Sequence, residues 1–132
     1  MPSAPLILLV DPDPSSTETV GAALKETEVR LTAVTTVDEA EEELGSRRYT
    51  AVICDLDFDG GDGFSLLQEI QRNQPQLAVV GISQSSDSRM AIEAVKAGAF
   101  DFLSKPIQPS ELARTIGEAI ECSTKSAELV AI

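Results

Sequence analysis

The sequence predicts an α/β domain, a parallel sheet covered by helices on both faces, and two observations lead there. Short apolar runs of strand length alternate five times with segments patterned at helical spacing. Three of those runs end on one polar residue each: Asp55 after Ala51-Val52-Ile53-Cys54, Ser83 after Val79-Val80-Gly81-Ile82, and Lys105 after Phe100-Asp101-Phe102-Leu103-Ser104. Strand C-termini of a parallel sheet gather on one side, where ligands bind. The pattern therefore brings a carboxylate, a hydroxyl and an ammonium to one edge.

The elements follow in order. Leu6 to Val10 is the first strand, and Val20, Ala23 and Leu24 mark the helix after it, with Asp13 and Pro14 as its N-cap and first-turn residues. Val29 to Val34 alternates as a strand near a sheet edge would. Thr36-Val37-Asp38-Glu39 then reads as a capping box for a helix bearing Val37, Ala40 and Leu44, with Gly45 expected to end it. Ala51 to Cys54 is the third strand; a Gly-rich loop runs through Gly63 to a helix with Phe64, Leu67 and Ile70 on one face, stopping before Pro75. Leu77 to Ile82 leads to a helix bearing Ala91, Ala94 and Val95 that stops at Gly98. Phe100 to Leu103 leads to a last helix, after Pro109, bearing Leu112, Ile116, Ala119 and Ile120. Right-handed crossovers between such units put helices on both sheet faces. The expected domain covers residues 1–122, with 123–132 as a C-terminal tail or linker.

Composition narrows the function classes. A chain of 132 residues supports one domain with an adequate core. Two cysteines, Cys54 and Cys122, supply no disulfide framework, and Cys54 reads as a reduced core thiol. No apolar stretch reaches membrane-spanning length, and Leu6-Ile7-Leu8-Leu9-Val10 stops at Asp11 without a basic segment before it, so a soluble cytoplasmic protein is expected. Ten basic and 22 acidic residues give a net charge of −12, which repels nucleic acid phosphates and anionic lipid. Direct DNA binding would require another domain.

At the shared edge, Asp55 can accept a phosphoryl group as nucleophile, the Ser83 hydroxyl can hydrogen-bond its oxygens, and Lys105 can offset its charge. Two other motifs overlap here and remain incomplete. Asp55-Leu56-Asp57-Phe58-Asp59-Gly60 opens like an EF-hand loop, yet its twelfth position is Leu66 where a bidentate Glu is needed. Asp55-x-Asp57 after an apolar strand also resembles haloacid-dehalogenase-type phosphatases, but no acidic pair follows Lys105 and the chain has no room for a cap. Asp59 reads as a turn residue.

Six pieces in order carry a family resemblance: Leu9-Val10-Asp11, Asp55, Asp62-Gly63, Ser83, Ala97-Gly98-Ala99 and Lys105-Pro106. Over residues 5 to 122 the chain resembles a response-regulator receiver domain, similar to the chemotaxis regulators of two-component signalling. The resemblance implies a doubly wound five-stranded sheet of flavodoxin-like order 2-1-3-4-5, a cis Lys105-Pro106 bond, and a signalling module rather than an enzyme. It implies that Asp55 takes phosphate from a sensor histidine kinase or phosphotransfer protein, with Mg²⁺ required. Asp11, Asp55 and the Asp57 carbonyl are the implied metal ligands, with Asp13 or the Asp57 side chain completing the set. Receivers usually carry two adjacent acids after the first strand; this chain reads Asp11-Pro12-Asp13, so Pro12 stands where a ligand is usual. Ser83 and Phe102 occupy the positions of the family's switch pair. The fourth helix, fifth strand and fifth helix, with Arg89, Lys96, Asp101 and Arg114, are the implied output face toward an output domain or target protein. The alternative is a pseudo-receiver, an interaction module independent of phosphorylation.

Overall fold

The computed structural model describes residues 4–57, 62–84 and 88–131. Phe58, Asp59 and Gly60 of the acidic loop, and part of the segment after Ser83, lie outside them. The chain runs β1 (Leu6–Val10), α1 (Ser16–Ala23), β2 (Arg30–Val34), α2 (Val37–Ser46), β3 (Ala51–Asp55), α3 (Asp62–Asn73), β4 (Ala78–Ser83), α4 (Ser88–Lys96), β5 (Asp101–Ser104) and α5 (Pro109–Ala131). The five strands form one parallel sheet of order β2-β1-β3-β4-β5, as expected, and the Lys105-Pro106 bond is cis.

Two-sided burial explains the uninterrupted apolar strands, because successive side chains point to opposite faces and both faces are covered. Leu8, Val10, Val52, Cys54 and Val79 pack with Ala40 of α2, Leu66, Leu67 and Ile70 of α3 and Ala94 of α4. Ile7, Leu9, Ala51, Ile53, Val80 and Ile82 pack with Val20 of α1 and Leu112, Ile116 and Ala119 of α5. Every residue of β3 and β4 is buried, whereas the edge strand β2 is half-exposed, which matches its alternating sequence. Each buried Leu, Ile or Val contributes about 1.5–3 kcal/mol, so the two central strands anchor the sheet from which the site residues project.

Local signals set most helix ends. Thr36 Oγ1 accepts from the Glu39 amide at 3.1 Å, capping α2. Glu39 answers by accepting the Thr36 hydroxyl proton at 3.0 Å, a variation on the usual reciprocal bond to the cap residue's own amide. Gly98, at φ +106°, ends α4 as expected: its amide bonds to Val95 O and the Ala99 amide to Ala94 O, each at 3.0 Å, and only glycine adopts that backbone without strain.

Four details differ from the sequence reading. The α1 helix begins at Ser16, one turn after Asp13, because Pro14 and Ser15 form a separate turn; the Asp13 carboxylate accepts from the Ser15 amide at 2.9 Å and so caps that turn. Gly45 does not end α2, which continues to Ser46 until Arg47 turns extended. Val95 is exposed, since the buried stripe of α4 follows Met90, Ala94 and Ala97 and Val95 falls about 130° from its centre. Finally, α5 runs through Ala131, and the Ser123 hydroxyl accepts from the Ala78 amide at 3.1 Å. The expected boundary at 122/123 thus falls within a helix, and Ser123 belongs to the domain's packing.

Candidate phosphoacceptor site

Parallel register places the site. Asp55 pairs with Ile82 and Ser83 with Ser104, so Asp55, Ser83 and Lys105 leave neighbouring strands at the same edge, with Asp11 leaving β1 beside them. The Lys105 amide donates to Ser83 O at 2.8 Å and the Leu56 amide to Ile82 O at 2.9 Å, which extends strand pairing into the loops and holds them together.

Lys105 bridges two acids. Its Nζ lies 2.7 Å from Asp55 Oδ2 and 2.9 Å from Asp11 Oδ2. Both carboxylates are buried, and the remaining oxygen of each accepts a backbone amide: Asp57 N to Asp55 Oδ1 at 2.6 Å and Asp13 N to Asp11 Oδ1 at 2.9 Å. Burial raises the Asp55 pKa above the usual carboxylate range, the Lys105 ammonium and the Asp57 amide pull it back, and the Asp11 charge raises it again. For Lys105 burial alone would lower the pKa, but the bonds and charges of Asp55 and Asp11 outweigh burial and hold it above its ordinary value. Two carboxylates against one ammonium leave an anionic nucleophile whose charge is partly offset.

Ser83 is buried at the same edge, and its hydroxyl donates to Asp57 Oδ1 at 2.6 Å. The other Asp57 oxygen accepts the Gln84 amide at 2.7 Å. The sequence suggests the Asp57 carbonyl as a metal ligand, with its side chain or Asp13 completing the set; in the structure that side chain meets Ser83 and Gln84. Asp13 is exposed, with one oxygen on Ser15, whose amide holds its pKa below the usual range. Pro12 is exposed and offers no side-chain oxygen. Among the described residues no group of three His, Cys, Asp or Glu side chains stands ready for an ion. Asp11 and Asp55 nonetheless fit Mg²⁺ as a sparse set, since this ion commonly keeps several waters and uses one or two carboxylates.

Three neighbours shape the edge. Cys54 lies under Asp55, and burial, with the Asp55 and Asp11 charges, pushes its pKa to about 12, so it is a neutral core thiol at pH 7. Phe102 is half-buried beside Leu56, and Gly81, having no side chain, leaves room for both. Gly63, near the start of α3, packs directly on the backbone of Asp55: an added Cβ would press on the Asp55 carbonyl and reach 3.0 Å from Leu56 Cα. Backbone cannot swing aside as a long side chain can, so Gly63→Ala is expected to cost about 2–3 kcal/mol in denaturant melts. A loss below about 0.5 kcal/mol would show that the α3 start yields freely.

Comparison with known proteins is consistent with this geometry. The sequence profile of the response regulator receiver domain matches residues 7–117. Response regulator protein PilR of Pseudomonas aeruginosa is 32% identical over 121 residues, covering 92% of this chain and 27% of PilR. Nitrogen assimilation regulatory protein NtrX of Azorhizobium caulinodans is 32% identical, covering 87% of this chain and 26% of that one. The chain therefore spans about a quarter of the length of these curated relatives. Among solved structures, NtrX from Brucella abortus in complex with ADP superposes with a TM-score of 0.86 at 29% identity, covering 97% of this chain and 29% of that one. The signal receiver domain of an HD domain-containing protein from Pseudomonas fluorescens Pf-5 reaches a TM-score of 0.88 at 25% identity, covering 97% of this chain and 95% of that one.

Proposed function

This chain belongs to the response regulator receiver domain family, and on that premise we propose that Asp55 accepts a phosphoryl group from the phosphohistidine of a sensor kinase or phosphotransfer protein and thereby switches an output face. The observation that carries the reading is the Asp55 carboxylate at the sheet edge with Lys105 Nζ 2.7 Å from Oδ2 and the Ser83 hydroxyl on the adjoining strand. In the transfer, an Asp55 oxygen attacks phosphorus, the P–N bond to the donor imidazole breaks, and the ring, protonated on its other nitrogen, leaves as neutral imidazole with that electron pair. Lys105 offsets charge on the phosphoryl oxygens. Asp11, Asp55 and the Asp57 carbonyl are the groups to hold Mg²⁺, which when bound neutralises charge on the transferring phosphoryl group.

Relatives with names such as the DNA-binding transcriptional regulator NtrC of Escherichia coli, 30% identical with 24% of its length covered, support an output that lies outside this domain. Its contact is the face of α4, β5 and α5, where Arg89, Lys96 and Arg114 are exposed. A net charge of −12 leaves nucleic acid binding to another domain. Among the described residues no helix is long and apolar enough to cross a membrane, and a cytoplasmic location follows from the proposed partners.

Pro12 favours a second reading, a phosphorylation-independent interaction module. Intact mass spectrometry after treatment with acetyl phosphate and Mg²⁺ separates the two. One phosphoryl adduct is expected; no adduct at saturating donor and metal, with no beryllofluoride-induced shift in amide spectra, assigns the chain to the second reading.

Pro12 also predicts a repair. Pro12→Asp is expected to tighten Mg²⁺ binding by about 1–2 kcal/mol, the scale of one charge-assisted contact in a partly solvated site. The added carboxylate also repels Asp11 and Asp55, so melts without Mg²⁺ should fall and melts with Mg²⁺ should recover. If Pro12→Asp changes neither while Asp13→Ala abolishes metal binding, Asp13 already supplies the ligand.

A further inference from the structure

Asp57 is solvent-exposed as a residue, yet its carboxylate is not given over to water. Both oxygens are engaged, one by the Ser83 hydroxyl at 2.6 Å and one by the Gln84 amide at 2.7 Å, across 26 and 27 residues of sequence. Its own amide meanwhile donates to Asp55 Oδ1 at 2.6 Å. One residue thus touches the acceptor with its backbone and the loop after β4 with its side chain. The sheet dictates this meeting: Asp55 pairs with Ile82, so two residues past the end of β3 the chain arrives opposite Gln84.

We propose that Asp57 is a latch on the switch: in the unphosphorylated protein its carboxylate holds the Ser83 hydroxyl and Gln84 amide, the donors that a phosphoryl group on Asp55 must take over. The proposal rests on the reading of Asp55 as phosphoacceptor. A phosphoryl group adds about −1.5 to −2 charges and three acceptor oxygens. At Asp55 these compete with the Asp57 carboxylate for the same donors and repel it. Release is inexpensive, because the freed carboxylate is already at the surface and water can solvate it. Asp57 therefore acts through Ser83 and Gln84 as a positioning residue. It sets the phosphodonor level at which the loop turns over, and it retakes the donors once the phosphate is gone.

Simple charge repulsion by Asp57 would also oppose phosphorylation, and the side-chain series distinguishes the two. Asp57→Asn loses the charge but keeps one acceptor; Asp57→Ala loses both. With acetyl phosphate and Mg²⁺ and intact mass readout, a latch predicts a graded fall in the donor concentration for half-maximal modification, roughly threefold for Asn and tenfold for Ala. The gain should shrink when Ser83→Ala is added, as for residues that share a bond. In the unphosphorylated variants the Gln84 amide proton should move upfield, and further in Asp57→Ala than in Asp57→Asn, because charge loss is the same in both and only Asn keeps an acceptor. Equal gains for Asn and Ala that survive Ser83→Ala overturn the latch in favour of charge repulsion. Unchanged donor requirement with a normal wild-type adduct overturns it outright while leaving the acceptor reading intact. Absence of any adduct in every variant is a different failure, one that removes the acceptor reading and the latch together.

Discussion

Asp55→Asn is expected to abolish the phosphoryl adduct while leaving the fold intact or firmer. The amide occupies the same space and its oxygen can still accept the Asp57 amide, now 2.6 Å from Oδ1, but an amide is no nucleophile toward phosphorus. The stability half follows from sign. Burial raises the Asp55 pKa above its unfolded value even with Lys105 opposing. A carboxyl with a raised folded pKa stabilises the fold below its unfolded pKa and loses that contribution as pH rises through the folded one. Ionised Asp55 is therefore a cost at neutral pH, and Asn removes it. Melts at pH 7 should rise or stay level relative to wild type, with the difference closing as the buffer is acidified through the carboxylate range. An adduct of undiminished yield in Asp55→Asn would move the acceptor elsewhere.

Lys105→Met has the largest expected effect on stability. It removes the one ammonium between two buried carboxylates while keeping the aliphatic stem. Removing one partner from a buried pair costs about 3–5 kcal/mol, and the 15% side-chain exposure of Lys105 places this site at the low end, about 3 kcal/mol at pH 7. The pH dependence has a definite direction. Without Lys105, Asp55 loses its largest lowering influence, its folded pKa rises further, and stability is regained as pH falls and the carboxyl protonates. Wild type behaves oppositely at the alkaline end: the raised Lys105 contributes below its unfolded pKa, and that contribution fades as pH rises through the folded one. Urea melts without Mg²⁺ between about pH 5 and pH 8 should show the variant converging on wild type toward acid. A gap independent of pH would mean that lost packing, not unpaired charge, causes the destabilisation. Some phosphoryl adduct should remain, since Lys105 offsets phosphate charge more than it creates the nucleophile.

Five strand-helix units, the two-faced core and the edge that gathers Asp11, Asp55, Ser83 and Lys105 were all legible in the sequence. The reason is that periodicity is local: a continuous apolar run marks a strand buried on both faces, and its first polar residue marks the sheet edge. Long-range side-chain partners were not legible, because each choice joins residues distant in sequence. Lys105 bridges to Asp11 across 94 residues, Ser123 meets Ala78 across 45, and Asp57 reaches Ser83 across 26. Asp57 could have been found from one further step, the register that pairs β3 with β4. Without that register its side chain looks as suited to a metal as to the switch. The sequence by itself determined the fold, the family and the sheet edge at which Asp11, Asp55, Ser83 and Lys105 meet. Only the tertiary structure decided that the Asp57 carboxylate turns to Ser83 and Gln84, because hydrogen-bond partners are chosen by ångström distances between strand ends, and those distances exist only once the sheet is assembled.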